Sequence, residues 1–277
     1  MKKSISIWSF EGGTIEGNMD IAKKAGFDGI ELALDEKGRT GLEADPADLL
    51  KIKEYADKIG LALPSVASGL YWSYPFTSAD ESIREKAVQI AEKQLEMAKA
   101  LGADTILVVP GAVDVPWVPN FDVVSYDVAY DRALAALNRI KSKAEALKIH
   151  IGIENVWNQF LLSPLEMRDF IDKIGSPYVG AYFDVGNVVF SGRPEQWIRI
   201  LGKRIRKVHF KDYRANPGGL NCFVDLLCGD VNWPQVMAAF KEIGYDDWAT
   251  AEMMPVYKHY PDQLINNTSK AMKRILA

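Results

Sequence analysis

The chain has 277 residues, with 48% hydrophobic and 25% charged side chains, which supplies a large core and the charge content of an ordinary soluble protein. Its formal net charge of -4 argues against nucleic acid as the main partner, because phosphate-backbone binding needs a basic surface. No apolar stretch approaches the roughly 20 residues of a membrane span, and the opening MKKSISIWSFEGG has neither a long apolar run nor a small-residue cleavage site, so neither membrane nor signal peptide is expected.

The first short apolar run lies near Ser4–Trp8. The segment SFEGGTIEGN after it has glycines without the spacing of a phosphate or dinucleotide loop, and reads as a plain connection. Then a unit recurs: a charged amphipathic stretch, a glycine, two or three residues, and an apolar run. AKKAGFDGIELAL leads to a run at Gly29–Leu34, and ADKIGLALPSV to Ala62–Ala67. Asp80–Leu101 has the clearest helical spacing, with Asp80 as N-cap, and leads through AKALGADTILVVP to Thr105–Val109. A fifth run is His150–Glu154. Ser163 before Pro164 marks another helix start, and IDKIGSPYVGAYFD leads to Val179–Asp184. Lys207–Phe210 follows, then a long Gly- and Asn-containing loop, Tyr213–Gly229, expected to cover part of a pocket. FKEIGYDDWATAEM closes the series at Ala249–Met253. Gly26, Gly60, Gly102, Gly175 and Gly244 each stand where a helix would end.

The runs have the near-continuous apolar character of parallel strands covered on both faces. Eight βα units with right-handed crossovers predict one (β/α)8 TIM barrel, a single domain over residues 1–277. An open doubly wound sheet is second, since it usually carries a Gly-rich phosphate loop after its first strand.

In such barrels chemistry sits at the C-terminal strand ends. Four late runs finish there with a polar residue that a buried strand should avoid: Glu154 in IHIGIE, Asp184 in VGAYFD, His209 in RKVHF and Glu252 in WATAE. Three carboxylates and an imidazole suit one divalent ion, Mn before Mg, Co or Zn. Without a cation the three anions would repel one another.

The ordered set IGIEN, FDVGN, VHFKD and AEM resembles the xylose-isomerase-like barrel superfamily, in particular its sugar phosphate isomerase/epimerase branch, over essentially the whole chain. The resemblance implies that Glu154, Asp184, His209 and Glu252 bind the metal and that Glu154 and Glu252 are also acid and base. It implies C3 epimerisation of a ketose or ketose phosphate, by proton abstraction next to the carbonyl through a metal-stabilised enediolate. Asn187 stands where D-tagatose 3-epimerase-like enzymes commonly carry a histidine, which looks more like the L-ribulose or L-xylulose 5-phosphate 3-epimerases and tilts the reading toward a phosphorylated substrate. Arg214 matches a basic substrate-contacting position of these families, and homo-oligomers are common among similar proteins.

Beside these, Lys211 is expected to share the inward face with His209 and touch a substrate oxygen or a carboxylate. Trp8 is the preferred wall of a sugar pocket, with Tyr71, Trp72, Trp117 and Trp157 as further aromatic candidates. Glu31 is a candidate for a hydroxyl contact or for supporting another site residue. His150 begins its strand and reads as structural, and His259 lies in the loop after Glu252. Cys222 and Cys228 imply no disulfide framework and fit a reducing cytoplasm. Three histidines cannot build the multi-zinc site of an endonuclease IV-like nuclease. The competing readings are a metal-dependent keto-sugar or inosose dehydratase or lyase, and a non-catalytic sugar-binding protein.

Overall fold

A computed structural model describes residues 1–119 and 121–277. Eight parallel strands close a barrel: β1 (Lys2–Ser6), β2 (Gly29–Ala33), β3 (Ser65–Ala67), β4 (Thr105–Val108), β5 (His150–Glu154), β6 (Val179–Asp184), β7 (Ile205–Phe210) and β10 (Trp248–Ala251). Each pairs with its neighbour in sequence, and β1 closes on β10. A two-stranded antiparallel ribbon, β8 (Asp212–Tyr213) and β9 (Phe223–Val224), sits in the loop after β7.

Eight α-helices alternate with the barrel strands: α1 (Ile15–Ala25), α2 (Pro46–Ile59), α3 (Glu81–Leu101), α4 (Tyr126–Leu147), α5 (Pro164–Ile174), α6 (Pro194–Leu201), α7 (Trp233–Ile243) and α8 (Pro261–Ile275). Asp80 caps α3 by accepting from the Ser82 N–H, and Ser163 caps α5 by accepting from that of Glu166. The five glycines predicted as helix ends all adopt the left-handed conformation there. The helices turn apolar stripes inward, so Ile90, Leu95, Leu137, Ile140, Phe170 and Ile198 bury against the outer faces of the strands. No helix among the described residues is long and apolar enough to cross a membrane.

Strand alternation decides what enters the barrel. Partner residues in a parallel pair face the same side, so Ser6↔Glu31, Glu154↔Tyr182, Asp184↔His209 and Thr250↔His209 all point inward together. Between β6 and β7 the register slips: Ala181 pairs Ile205, whereas Tyr182 pairs Lys207. The extra β7 residue, Arg206, flips the parity of that strand and turns Lys207 and His209 inward.

Several expected boundaries move, and two of the shifts bear on the site. The first strand ends at Ser6, not Trp8, because the Ser6 hydroxyl accepts from the Trp8 N–H at 3.4 Å and starts a 3-10 turn, Ile7–Ser9. The last strand ends at Ala251, which leaves Glu252 on the first residue beyond it.

Candidate metal centre and sugar pocket

At the C-terminal end of the barrel, Glu154, Asp184, His209 and Glu252 bring one ligand atom each to within 4.8 Å of one another, and all four are buried. The His209 ring orders the cluster. Its Nδ1 lies 3.2 Å from Glu252 Oε2, 3.6 Å from Glu154 Oε1 and 3.9 Å from Asp184 Oδ2. Its Nε2 lies 2.9 Å from Glu31 Oε1 on the far side. Glu31 is fully buried, and its other oxygen accepts from Ser65 Oγ at 2.7 Å and Tyr182 OH at 2.5 Å.

Residues around the four make room and hold them still. Asn155 donates to the Asp184 carbonyl and accepts from its N–H, both at 2.8 Å. The Asn187 side chain donates to the Asn155 carbonyl at 3.0 Å, and its N–H donates to Asp184 Oδ1 at 2.8 Å. IGIEN and FDVGN are thus stitched together. A Cβ on Gly186 would lie 2.5 Å from Lys211 Cβ, so only glycine lets β7 and its extension pass this close. Asp212, the last residue of VHFKD, accepts from the N–H groups of Tyr213, Leu227 and Val231 and from Trp233 Nε1. It folds the long loop after β7 back over the site.

Lys211 Nζ stands 2.5 Å from Glu252 Oε2 and 3.3 Å from Asp184 Oδ2, a positive charge among the carboxylates. Burial raises the proton affinity of Glu252, but Lys211 and His209 outweigh it and hold this carboxyl down to about 2. Burial, reinforced by the Glu252 charge, pushes Glu154 up to about 7 against the pull of His209. Burial opposes charge on His209, yet Glu31 and Glu252 raise it well above the usual imidazole range.

The donor set fits a divalent cation. Asp184 Oδ2, His209 Nδ1 and Glu252 Oε2 are buried, lack a well-directed hydrogen bond and face one another. Polar atoms so buried are normally paired. Hard oxygens with one imidazole are the ligands such ions take.

Above the cluster opens a cavity of about 440 Å³. Glu154, Glu252, Lys211, Asn187 and Trp8 line it, as do Trp72, Trp117 and Trp157. Leu220 and Phe223 reach it from the loop after β7, which covers the pocket in part. The other expected residues divide between those in the cavity and those outside it. Glu31 makes no wall of the cavity and takes the second of its two expected roles, supporting His209 while accepting from Ser65 and Tyr182. Arg214 is exposed, outside the cavity, and its Nε donates to the Cys228 carbonyl at 3.0 Å. Tyr71 lies in the core, donating to Gln94 at 2.6 Å and stacked on Phe76. His259 is exposed and does not line the cavity. His150 lies at the opposite barrel end, stacked on Tyr178 at 5.0 Å. Ser65, Tyr182, Asn155 and Asp212 went unpredicted as supporting residues; Asn155 and Asp212 were visible only as the polar ends of IGIEN and VHFKD.

A parallel barrel with carboxylates and one histidine at its C-terminal mouth defines the class, and the chain belongs to the xylose isomerase-like TIM barrel family, whose model matches residues 19–275. Among individual proteins it is similar to SgbU of Escherichia coli K12, provisionally described as an L-ribulose-5-phosphate 3-epimerase, at 27% identity over 72% of this chain and 68% of that one. It is 22% identical to the L-ribulose-5-phosphate 3-epimerase UlaE of Escherichia coli SMS-3-5, over 82% and 78% of the two chains. Among solved structures, a D-psicose 3-epimerase crystallised with D-fructose superposes with a TM-score of 0.82 at 19% identity, covering 99% of this chain and 98% of that one.

Proposed function

We propose that the chain is a metal-dependent epimerase of a ketose or ketose phosphate, inverting the carbon next to the carbonyl, most simply C3. The observation that carries this reading is the convergence of Glu154, Asp184, His209 and Glu252 at the floor of an aromatic-walled cavity. The epimerase relatives support isomerase chemistry. Two free thiols, Cys222 and Cys228, suit a cytoplasmic enzyme.

Glu154, Asp184, His209 and Glu252 would hold one divalent ion, with manganese the first choice and Mg, Co or Zn compatible. Bound there, the ion supplies Lewis-acid stabilisation, worth several kcal/mol, for the negative charge that develops on the sugar's carbonyl oxygen. Glu154 and Glu252 line the cavity and serve as the proton-transferring pair, one on each face of the reacting carbon. Lys211, beside Glu252 and Asp184, keeps these anions ionised and faces a sugar oxygen. Asn187 offers a further hydrogen-bonding group. Trp8, Trp72 and Trp117 pack on the sugar's C–H face and exclude water.

The test is proton exchange in deuterated water with manganese-loaded protein and a panel of ketoses and ketose phosphates, followed by NMR. Deuterium enters the carbon next to the carbonyl, the product is inverted there, and Glu154→Gln and Glu252→Gln each slow exchange by about 100-fold or more. An aldose product would make the enzyme an aldose–ketose isomerase. Loss of water or of a leaving group would make it a lyase. Tight sugar binding without exchange, unchanged in Glu154→Gln, would leave a sugar-binding protein.

A further inference from the structure

Asp184 offers the cluster one oxygen because the other is taken. The Asn187 N–H donates to its Oδ1 at 2.8 Å, which leaves Oδ2 facing His209 Nδ1 at 3.9 Å, buried and without a well-directed hydrogen bond. The backbone of Asn187 therefore sets which way this carboxylate turns. On one flank the Asn187 side chain is tied to the Asn155 carbonyl at 3.0 Å. On the other, Asn187 lies in a short 3-10 helix, Gly186–Val188, whose last carbonyls run out of backbone partners. The Trp157 indole supplies one: its Nε1 donates to the Asn187 carbonyl at 2.8 Å.

Trp157 is itself wedged in place. It stands three residues beyond Glu154 on the loop after β5, half-buried in the cavity wall. Its ring meets Phe190, from the segment after β6, at 5.6 Å, and Tyr213 and Phe223, from the ribbon after β7, at 5.4 Å each. The loops that follow three successive strands thus meet on one indole. Ring contacts of this kind fix where the indole lies. The hydrogen bond from Nε1 is directional, and it joins the indole to the chain beside Asp184.

We infer that Trp157 is a positioning residue for the metal centre: its indole N–H fixes Asn187, and Asn187 aims the Asp184 carboxylate at the cation. That role rests on the metal-centre reading and is independent of which sugar is turned over.

Two variants separate the hydrogen bond from the packing. Trp157→Phe keeps an aromatic ring against Tyr213 and Phe223 and loses the donor. Trp157→His loses the six-membered ring and keeps a donor, since Nε2 of imidazole takes the place in its five-membered ring that Nε1 takes in indole. Manganese binding is measured by calorimetric titration, and cobalt-loaded protein by its visible absorption, which reports the geometry of the ligands. Trp157→Phe weakens manganese binding about five- to tenfold, the scale of one lost hydrogen bond acting through a metal ligand, and alters the cobalt spectrum. Trp157→His stays within about twofold of the parent chain and keeps its spectrum. Parent-like affinity in Trp157→Phe overturns the assignment and leaves the metal centre standing. So does an equal loss in Trp157→His, because packing would then be the cause. A Trp157→Phe chain that fails to fold overturns it too, because the indole would then belong to the core. A parent chain that binds neither manganese nor cobalt sinks the metal-centre reading, and the role of Trp157 with it.

Discussion

Glu31 lies buried beneath the cavity floor, against the far side of the His209 ring. By accepting from Nε2 of His209, it fixes the ring so that Nδ1 faces Glu154, Asp184 and Glu252. Ser65 and Tyr182 fix Glu31 in turn. Removing such a support typically lowers metal affinity 10- to 100-fold. Glu31→Gln is therefore expected to weaken manganese binding by about that factor in calorimetric titration, while the far-ultraviolet circular dichroism stays unchanged. Unaltered affinity would mean that packing alone orients the ring. Glu31 was legible in the sequence as a carboxylate on a buried strand. Its partner was not, because His209 is 178 residues away and only barrel closure brings them together.

At the scale of the elements, the repeated unit of amphipathic stretch, glycine and apolar run is readable because it obeys local rules. The fourth helix breaks the pattern. α4 ends at Lys148, a non-glycine residue with φ 59° and ψ 42°, whose N–H bonds back to the Ala144 and Glu145 carbonyls. A left-handed conformation costs an L-residue about 1 kcal/mol or more, and glycine avoids that cost. Lys148 is exposed and makes no other use of its position. Lys148→Gly should raise stability by about 0.5–1 kcal/mol in urea unfolding, with the m-value unchanged. A loss of stability would show that the lysine stem supports the helix end more than the strain harms it. The parity flip in β7 is the opposite case. Nothing in RKVHF announces that Arg206 is the extra residue, since the slip is defined only against β6.

For the molecule as a whole, metal binding and folding stability should be linked through protons. The native Glu154 carboxyl sits near 7 rather than its ordinary 4.5, so between those values the folded chain holds a proton that the unfolded chain has released. Stability contributed by this group is therefore present below pH 4.5 and declines as pH rises toward 7. Glu252, held near 2, is ionised in the folded chain throughout that window, but its unfolded carboxyl still binds protons near 4.5, so at the lower edge it adds a slope of opposite sign. A cation must displace the Glu154 proton, so its affinity rises with pH. Differential scanning calorimetry should show a larger manganese-induced rise in Tm at pH 8 than at pH 6, approaching about 2.7 kcal/mol of stabilisation at 100 times Kd. Equal shifts at the two pH values would mean that no proton leaves the cluster on binding.

The barrel and the four residues of the candidate cluster could be read from the chain itself because both follow short-range rules. A buried parallel strand is a continuous apolar run, and a carboxylate or imidazole at its end is conspicuous. Tertiary structure alone decided the partners. It turned Arg214 out of the cleft, spent Glu31 on His209, and put Lys211 between two carboxylates. It also set two cavities side by side about Trp157. Each of these depends on which residues from distant strands and loops share one space, and that is set by closure, register and loop packing rather than by neighbours along the sequence.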